Sequence, residues 1–211
     1  MWRTVLCSVL LLVWGYVMAV WLTHDFQVWT DEGARRLEVA LRPVQVPSVR
    51  VQGPTVEDIG LDELLSRDGG ATIVDFFYTH CRSVCLSVGG GFRQLQTALR
   101  ADHQPDPGQR VRLLSISFDG ARDDPAVLRA YAHGLGADPA LWRFVRVRDA
   151  AQQELLLHRL GVVVIADGLG DYEHNASLLV FDQRGRMRRI FDPGALQTAL
   201  DYARHLARAG R

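Results

Sequence analysis

Two of the three cysteines of this chain lie in the short segment FFYTHCRSVC, residues 76–85. Cys81 and Cys85 follow an apolar run, ATIVDFFY at 71–78, that is typical of a strand buried on both faces. We expect a helix to begin at the pair, because residues four apart on a helix share one face and both sulfur atoms can then point at one spot. The positive end of a helix dipole also favours thiolate over thiol.

Two thiolates at one spot suit two kinds of chemistry. They can hold a soft metal ion such as Cu(I), or they can form a reversible disulfide. A purely stabilising disulfide is disfavoured, because so short a loop contributes only about 2 kcal/mol in the chain-entropy model. These residues by themselves leave metal binding and dithiol redox chemistry open.

The composition of the chain excludes several other classes of protein. Acidic and basic residues balance at 24 each over 211 residues, so no net field favours a nucleic acid or an acidic partner. Every residue in the basic count is arginine, and the chain contains no lysine. A Schiff-base lysine and a phosphate-loop lysine are therefore excluded.

The N-terminal segment predicts a membrane anchor. The stretch 4–22 contains no charged residue, and as a helix it would extend for roughly 28 Å, close to the thickness of a bilayer core. Trp2 and Trp21 lie at its two ends, and Arg3 precedes it, which predicts a cytoplasmic N-terminus and an exported body. A cleaved signal peptide is the alternative, although the apolar stretch is long for one. In a bacterium the body would then lie on the periplasmic side of the inner membrane, where thiols tend to be oxidised.

The rest of the chain alternates between strand and helix patterns. We predict an anchor at 1–23, a tether at 24–48 that includes a short helix, and one domain at 49–208. Before the cysteines we expect an edge strand at 46–52 and helical turns at 61–67. After them we expect, in order, a helix at 83–100, a polar turn at 104–109, a strand at 110–118, a helix at 123–136, a strand at 142–147, a helix at 149–161, a short strand at 162–165, a hairpin at 176–192 and a closing helix. This order predicts an α/β fold of the thioredoxin-like sandwich type.

Three segments together resemble the SCO/SenC family of membrane-anchored copper chaperones. They are DFFYTHCRSVC, LLSISFD and DYEHNASLLVFDQRGR, and the resemblance extends over about residues 50–205 and the N-terminal anchor. Members of that family have a thioredoxin-like domain in which a CxxxC pair and one distant histidine bind copper. Carried over residue by residue, the resemblance implies that Cys81, Cys85 and His174 are the copper ligands.

The resemblance also implies a function and a partner. The chain would deliver copper, as Cu(I) or Cu(II), to the dinuclear copper centre in subunit II of cytochrome c oxidase or a similar copper protein, or keep that centre's cysteines reduced. Such a role is not that of a classical enzyme. The rival function is a thiol–disulfide oxidoreductase, in which one cysteine attacks a partner disulfide and the other resolves the mixed disulfide. A peroxidase or redox sensor is a third hypothesis. Neither the oxidoreductase nor this third function needs His174.

Other polar residues have weaker claims on the site. His80 adjoins Cys81, and we expect it to tune or shield the site. Asp119 ends a strand, and it can orient a ligand or act as an ordinary loop carboxylate. We expect His24 at the membrane surface. The other histidines should lie on helices or their ends, in solvated or packing roles: His103, His133, His158 and His205.

The chain departs from the family pattern at several positions. Ser83 and Leu86 replace an aspartate and a proline that often surround the cysteines, and Gly120 replaces a proline after the second strand. Three consecutive glycines at 89–91 are unusual inside a helix, and they predict a kink or a close-packed surface for a partner. These departures leave the three implied ligands intact.

Overall fold

The N-terminal part of the chain forms two helices. The computed structural model describes residues 2–23, 25–26, 28–67, 69–81, 84–102, 110–168 and 170–209, with only the backbone at 84–88. The chain divides into two units, 1–41 and 42–211. In the first unit, helix α1 (Trp2–Leu22) is long and apolar enough to cross a membrane, although a signal sequence would have the same character. Helix α2 (Asp31–Leu41) carries Asp31 and Glu32 in its first turn, where they complement the helix dipole.

The second unit is built on one mixed sheet of eight strands. Its strands are β1 (Val44–Gln45), β2 (Arg50–Gly53), β3 (Val56–Gly60), β4 (Ala71–Phe77), β5 (Val111–Ser117), β6 (Trp142–Val147), β9 (Leu178–Phe181) and β10 (Arg186–Phe191). The order across this sheet is β1-β10-β9-β4-β5-β6-β2-β3, and β4, β5 and β6 run parallel. A separate antiparallel pair consists of β7 (Val164–Ala166) and β8 (Tyr172–His174).

Five helices connect and cover these strands. They are α3 (Leu61–Arg67), α4 (Val84–Ala101), α5 (Pro125–Leu135), α6 (Ala150–Leu160) and α7 (Leu196–Ala209). Helices α5 and α6 begin and end where local sequence dictates: Asp124 and Asp149 cap their first turns, and glycines in the left-handed conformation follow their last residues. The core lies between helices and sheet, where Phe92 of α4 packs on Trp142 of β6 with ring centroids 5.4 Å apart.

This architecture confirms the predicted thioredoxin-like α/β fold and most of its elements. The prediction of an edge strand at 46–52 is wrong in one respect: β2 forms, but it lies between β6 and β3. The chain turns back at residues 54–55, so that β3 covers the outer side of β2. The polar turn expected at 104–109 lies outside the described residues.

The three consecutive glycines at 89–91 differ in how closely they approach other helices of the domain. Helix α4 runs through them without interruption. A β-carbon on Gly91 would come within 2.9 Å of a methyl group of Leu196 in α7, and one on Gly89 would lie 3.4 Å from Leu135 in α5. A β-carbon on Gly90 would meet nothing within 4 Å. Two of the three glycines therefore allow α4 to approach its neighbouring helices closely.

Candidate metal centre

Cys81 lies just beyond the end of β4. It is buried, with 7% of its surface exposed, and its backbone N–H donates to the carbonyl of Tyr78 at 3.4 Å. Helix α4 begins at Val84, so Cys81 precedes the helix and is not helical. Cys85 lies in the first turn of α4. The expectation that both cysteines share one helical face is therefore wrong. The side chain of Cys85 lies outside the described residues.

His174 is the last residue of β8, in the small two-stranded sheet. The sequence predicted a loop here; instead, His174 pairs with Val164 across the β7–β8 hairpin. The next residue, Asn175, fixes the base of this hairpin: its Oδ1 accepts from the N–H of Val163 at 2.8 Å, and its Nδ2 donates to the carbonyl of Gly161 at 3.0 Å. His174 is half-buried, and this burial lowers its pKa. The neutral imidazole is thereby favoured, which is the form that binds metal ions.

An aromatic cluster lies between the segments that carry Cys81 and His174. It consists of Tyr78, Phe118, Tyr172 and the His174 ring. The centroid of Phe118 lies 5.3 Å from that of Tyr78 and 5.1 Å from that of His174. Tyr172 meets both Tyr78 and Phe118 edge to face, at 5.2 and 5.5 Å. The cluster thus brings the ends of β4 and β5 into contact with the hairpin.

The hydroxyl of Tyr78 links the cysteine segment to the tip of the hairpin. It donates to Oδ1 of Asp171 at 2.8 Å and accepts from the N–H of Tyr172 at 3.3 Å. Burial, together with this hydrogen bond to Asp171, raises the pKa of the Tyr78 hydroxyl. Tyr78 therefore keeps its proton and remains a donor at neutral pH.

Asp123 holds the turn that precedes Cys81. Its side chain is 0% exposed, and its Oδ2 accepts from the N–H of Thr79 at 3.0 Å and from the hydroxyl of Ser117 at 2.6 Å. Its Oδ1 accepts from the hydroxyl of Thr79 at 2.5 Å. This role of Asp123 could not be predicted from the sequence, because nothing near Asp123 along the chain shows that Thr79 will be its partner.

Asp119 and His80 lie in the loops that follow β5 and β4. The buried carboxylate of Asp119 forms an ion pair with Arg122. His80 is exposed, and its ring nitrogen lies 3.2 Å from the hydroxyl of Thr79. Potential ligand atoms of His80, Asp119 and Asp123 lie within 4.8 Å of one another. Since both carboxylates already have strong partners, we assign this group to the support of the loop.

One departure from the family pattern has a steric reason. A β-carbon on Gly120 would lie 2.0 Å from the carbonyl oxygen of Val147, so this position accepts no side chain without a backbone shift. Ser83 and the side chain of Leu86 lie outside the described residues, as do His24 and His103. The remaining histidines are exposed on helices, as expected for solvated side chains: His133, His158 and His205.

The fold and the site together define a thioredoxin-like domain with a buried cysteine at the end of a central strand and a histidine hairpin beside it. The chain belongs to the SCO1/SenC family, whose model matches residues 66–209. None of the curated proteins compared with the chain matches it.

Several solved structures share the fold. BsSco, described as a member of the Sco family of cytochrome c oxidase assembly proteins with a disulfide switch, is 18% identical with a TM-score of 0.66; the match covers 79% of this chain and 95% of BsSco. Copper-bound ScoI of Bradyrhizobium japonicum is 23% identical with a TM-score of 0.61, and 77% and 99% of the two chains are covered. Copper-bound yeast Sco1 is 16% identical with a TM-score of 0.62, and the coverage is 79% and 90%.

Proposed function

We propose that this protein is a membrane-anchored copper-binding assembly factor whose copper ligands are Cys81, Cys85 and His174. The observation that supports it best is the common aromatic cluster beside Cys81 and His174, two residues that are far apart in the sequence. Solved structures with the same fold, from Bradyrhizobium japonicum and yeast, hold copper.

The three side chains suit copper in both of its oxidation states. Thiolates are soft ligands that select Cu(I), and an added imidazole also suits Cu(II). Copper would leave by ligand exchange, in which thiolates of the partner replace those of Cys81 and Cys85 one at a time. This exchange moves no electrons, and each incoming thiolate releases one outgoing thiolate.

The proposed partner is subunit II of cytochrome c oxidase, or a similar copper protein. In support, BsSco belongs to a family of cytochrome c oxidase assembly proteins. We place segment 1–23 in the bacterial inner membrane, 24–48 as a tether, and the copper-binding domain, 49–208, on the periplasmic side. An anchor confines donor and acceptor to one membrane plane and so raises their effective concentration.

An anaerobic copper titration of the full chain in detergent tests the ligand set. Wild type and His174→Ala are reduced, loaded with copper and competed with a Cu(I) chelator. Thiolate-to-Cu(II) absorption is recorded for the same samples after loading with Cu(II). We expect one tight equivalent in wild type and an affinity at least about tenfold lower in His174→Ala, because even partners outside the first ligand shell contribute that much.

The same titration separates copper delivery from dithiol redox chemistry. Copper binding that is absent, or that is indifferent to His174, would contradict the proposal and favour a thiol–disulfide oxidoreductase that uses Cys81 and Cys85. Under our proposal, His174→Ala retains dithiol chemistry, whereas replacing either cysteine abolishes both copper binding and redox chemistry. The matched control is His205→Ala, which removes an exposed histidine on α7. This variant should bind copper as tightly as wild type does.

A further inference from the structure

The hairpin that carries His174 is held at its base, at its tip and by the aromatic cluster. It is not part of the eight-stranded sheet, so the ladder hydrogen bonds of that sheet do not hold it. At its base, the side chain of Asn175 bonds to the backbone at Gly161 and Val163. At its tip, residues 170–172 are held by side chains from two other loops. At its base His174 pairs with Val164 and packs on Phe118, so the contacts at the tip act together with these to fix the hairpin.

The first contact at the tip is the Tyr78 hydroxyl. Tyr78 is 2% exposed and directly follows β4, which pairs with β5 along its whole length. Its hydroxyl bonds to the side chain of Asp171 and to the N–H of Tyr172, two residues before His174. The carbonyl of the same Tyr78 accepts from the N–H of Cys81. One residue thus bonds to the proposed cysteine ligand through its backbone and to the histidine hairpin through its side chain.

The second contact at the tip is Arg122, in the loop between β5 and α5. Its two terminal nitrogens donate to the carbonyl of Gly170 at 3.1 and 3.2 Å, and its guanidinium carbon lies 5.5 Å from the centre of the Tyr172 ring. The ion pair with buried Asp119 fixes the other side of this guanidinium. Arg122 and Tyr78 therefore hold the tip from two different loops.

We propose that Tyr78 is a positioning residue that keeps the histidine hairpin closed over the copper site and thereby sets how fast copper leaves. With the hydroxyl bonded to Asp171 and Tyr172, His174 stays beside the aromatic cluster. When these bonds break, the tip is released and only the base contacts of Asn175 and the aromatic cluster hold His174 in place. His174 then leaves copper more readily, and copper stays on the two thiolates alone, open to exchange with a partner. The copper part of this inference rests on the proposed function, whereas the closing of the hairpin is a property of the metal-free protein.

Hydrogen exchange of the metal-free, reduced full chain in detergent tests the closing directly. Tyr78→Phe removes only the hydroxyl and keeps the ring in the cluster. We expect exchange of the backbone amides of 164–168 and 170–175 to rise about tenfold, because two hydrogen bonds that hold the tip are lost, with the main sheet unchanged. The control is Tyr202→Phe, the same change on α7, where the ring packs on Phe191. Exchange in Tyr78→Phe equal to that in wild type would overturn the proposal.

Variants at Asp171 test whether the hydrogen bond, and not the bulk of the residue, is responsible. Asp171→Asn keeps an oxygen that can accept from Tyr78 and should exchange nearly as wild type does. Asp171→Ala removes the acceptor and should raise exchange in the same amides. In the double variant with Tyr78→Phe, the two effects should not add, since they break one shared bond. Full additivity would contradict a direct link between the two side chains.

The copper-loaded protein tests the consequence. In Tyr78→Phe we expect one equivalent of Cu(I) still to bind, copper transfer to a chelator to become about tenfold faster, and the imidazole nitrogen coupling in the Cu(II) electron paramagnetic resonance spectrum to be lost from part of the sample. Unchanged transfer and unchanged coupling would overturn the role in copper release. His174→Ala is the reference: if it binds copper as wild type does, the ligand assignment fails, while the metal-free exchange still decides whether Tyr78 closes the hairpin.

Discussion

Replacing Asp75 by asparagine should stabilise this protein at pH 8 and leave its stability almost unchanged near pH 4. Asp75 lies in the middle of β4, is 4% exposed, and faces Ser115 across the parallel pair with β5. The hydroxyl of Ser115 also accepts from the indole N–H of Trp142 at 2.8 Å. Among the described residues, Oδ1 of Asp75 has no hydrogen-bond partner. A carboxylate buried here loses its hydration, and the few hydrogen bonds that it makes do not offset that cost in free energy.

The size of the effect follows from the pKa of Asp75. Burial raises this pKa from 3.8 to about 7. Between these two values the folded protein holds a proton that the unfolded chain has released, so the free energy of unfolding falls as the pH rises from about 4 to about 7. At roughly 1.4 kcal/mol for each pKa unit, the loss reaches about 4 kcal/mol above pH 7. Asparagine keeps the shape and carries no charge, so the variant should lack this loss.

Urea denaturation at about pH 4.5, 6, 8 and 9 measures this effect on the full chain in detergent. The difference in unfolding free energy between Asp75→Asn and wild type should grow with pH by a few kcal/mol and level off above pH 7. Asp201→Asn, an exposed change on α7, should show less than about 1 kcal/mol at every pH. A difference for Asp75→Asn that is constant across the pH range would refute the reasoning, because it would mean that Asp75 titrates alike in the folded and unfolded chains.

Three further predictions concern packing around the site, and thermal unfolding followed by circular dichroism checks each of them. Gly90→Ala should stabilise the protein by up to about 1 kcal/mol, since the new β-carbon meets open space. Gly91→Ala should stabilise it less or destabilise it, because the new methyl group would contact Leu196 of α7; equal gains would contradict this close packing. Gly120→Ala should destabilise by about 1–3 kcal/mol, because the new methyl group would contact a backbone oxygen of β6; an unchanged midpoint would argue against that approach. Asp123→Ala should cost about 3 kcal/mol or more, because it leaves the donors of Thr79, in the turn before Cys81, and of Ser117 in β5 without an acceptor; a variant as stable as wild type would contradict this role.

Features that depend on neighbours along the chain could be predicted from the sequence. The continuous apolar run before Cys81 predicted a central buried strand, and β4 is buried at every position. Acidic capping residues at the start and glycine at the far end predicted α5 and α6, because capping bonds span only a few residues. The thioredoxin-like fold followed from the order of these elements.

Contacts between segments far apart in the sequence were decided only by the tertiary structure. The bond from Tyr78 to Asp171 joins residues 93 positions apart, and that from Thr79 to Asp123 joins residues 44 apart. The strand that ends in His174 forms because β7 lies opposite it, and the need for glycine at 120 arises from a carbonyl of another strand. Local patterns carry no information on such partners, because these distances are set by the packing of the whole domain. The residue types for a copper site could therefore be predicted from the sequence, whereas the support that positions them depends on the fold.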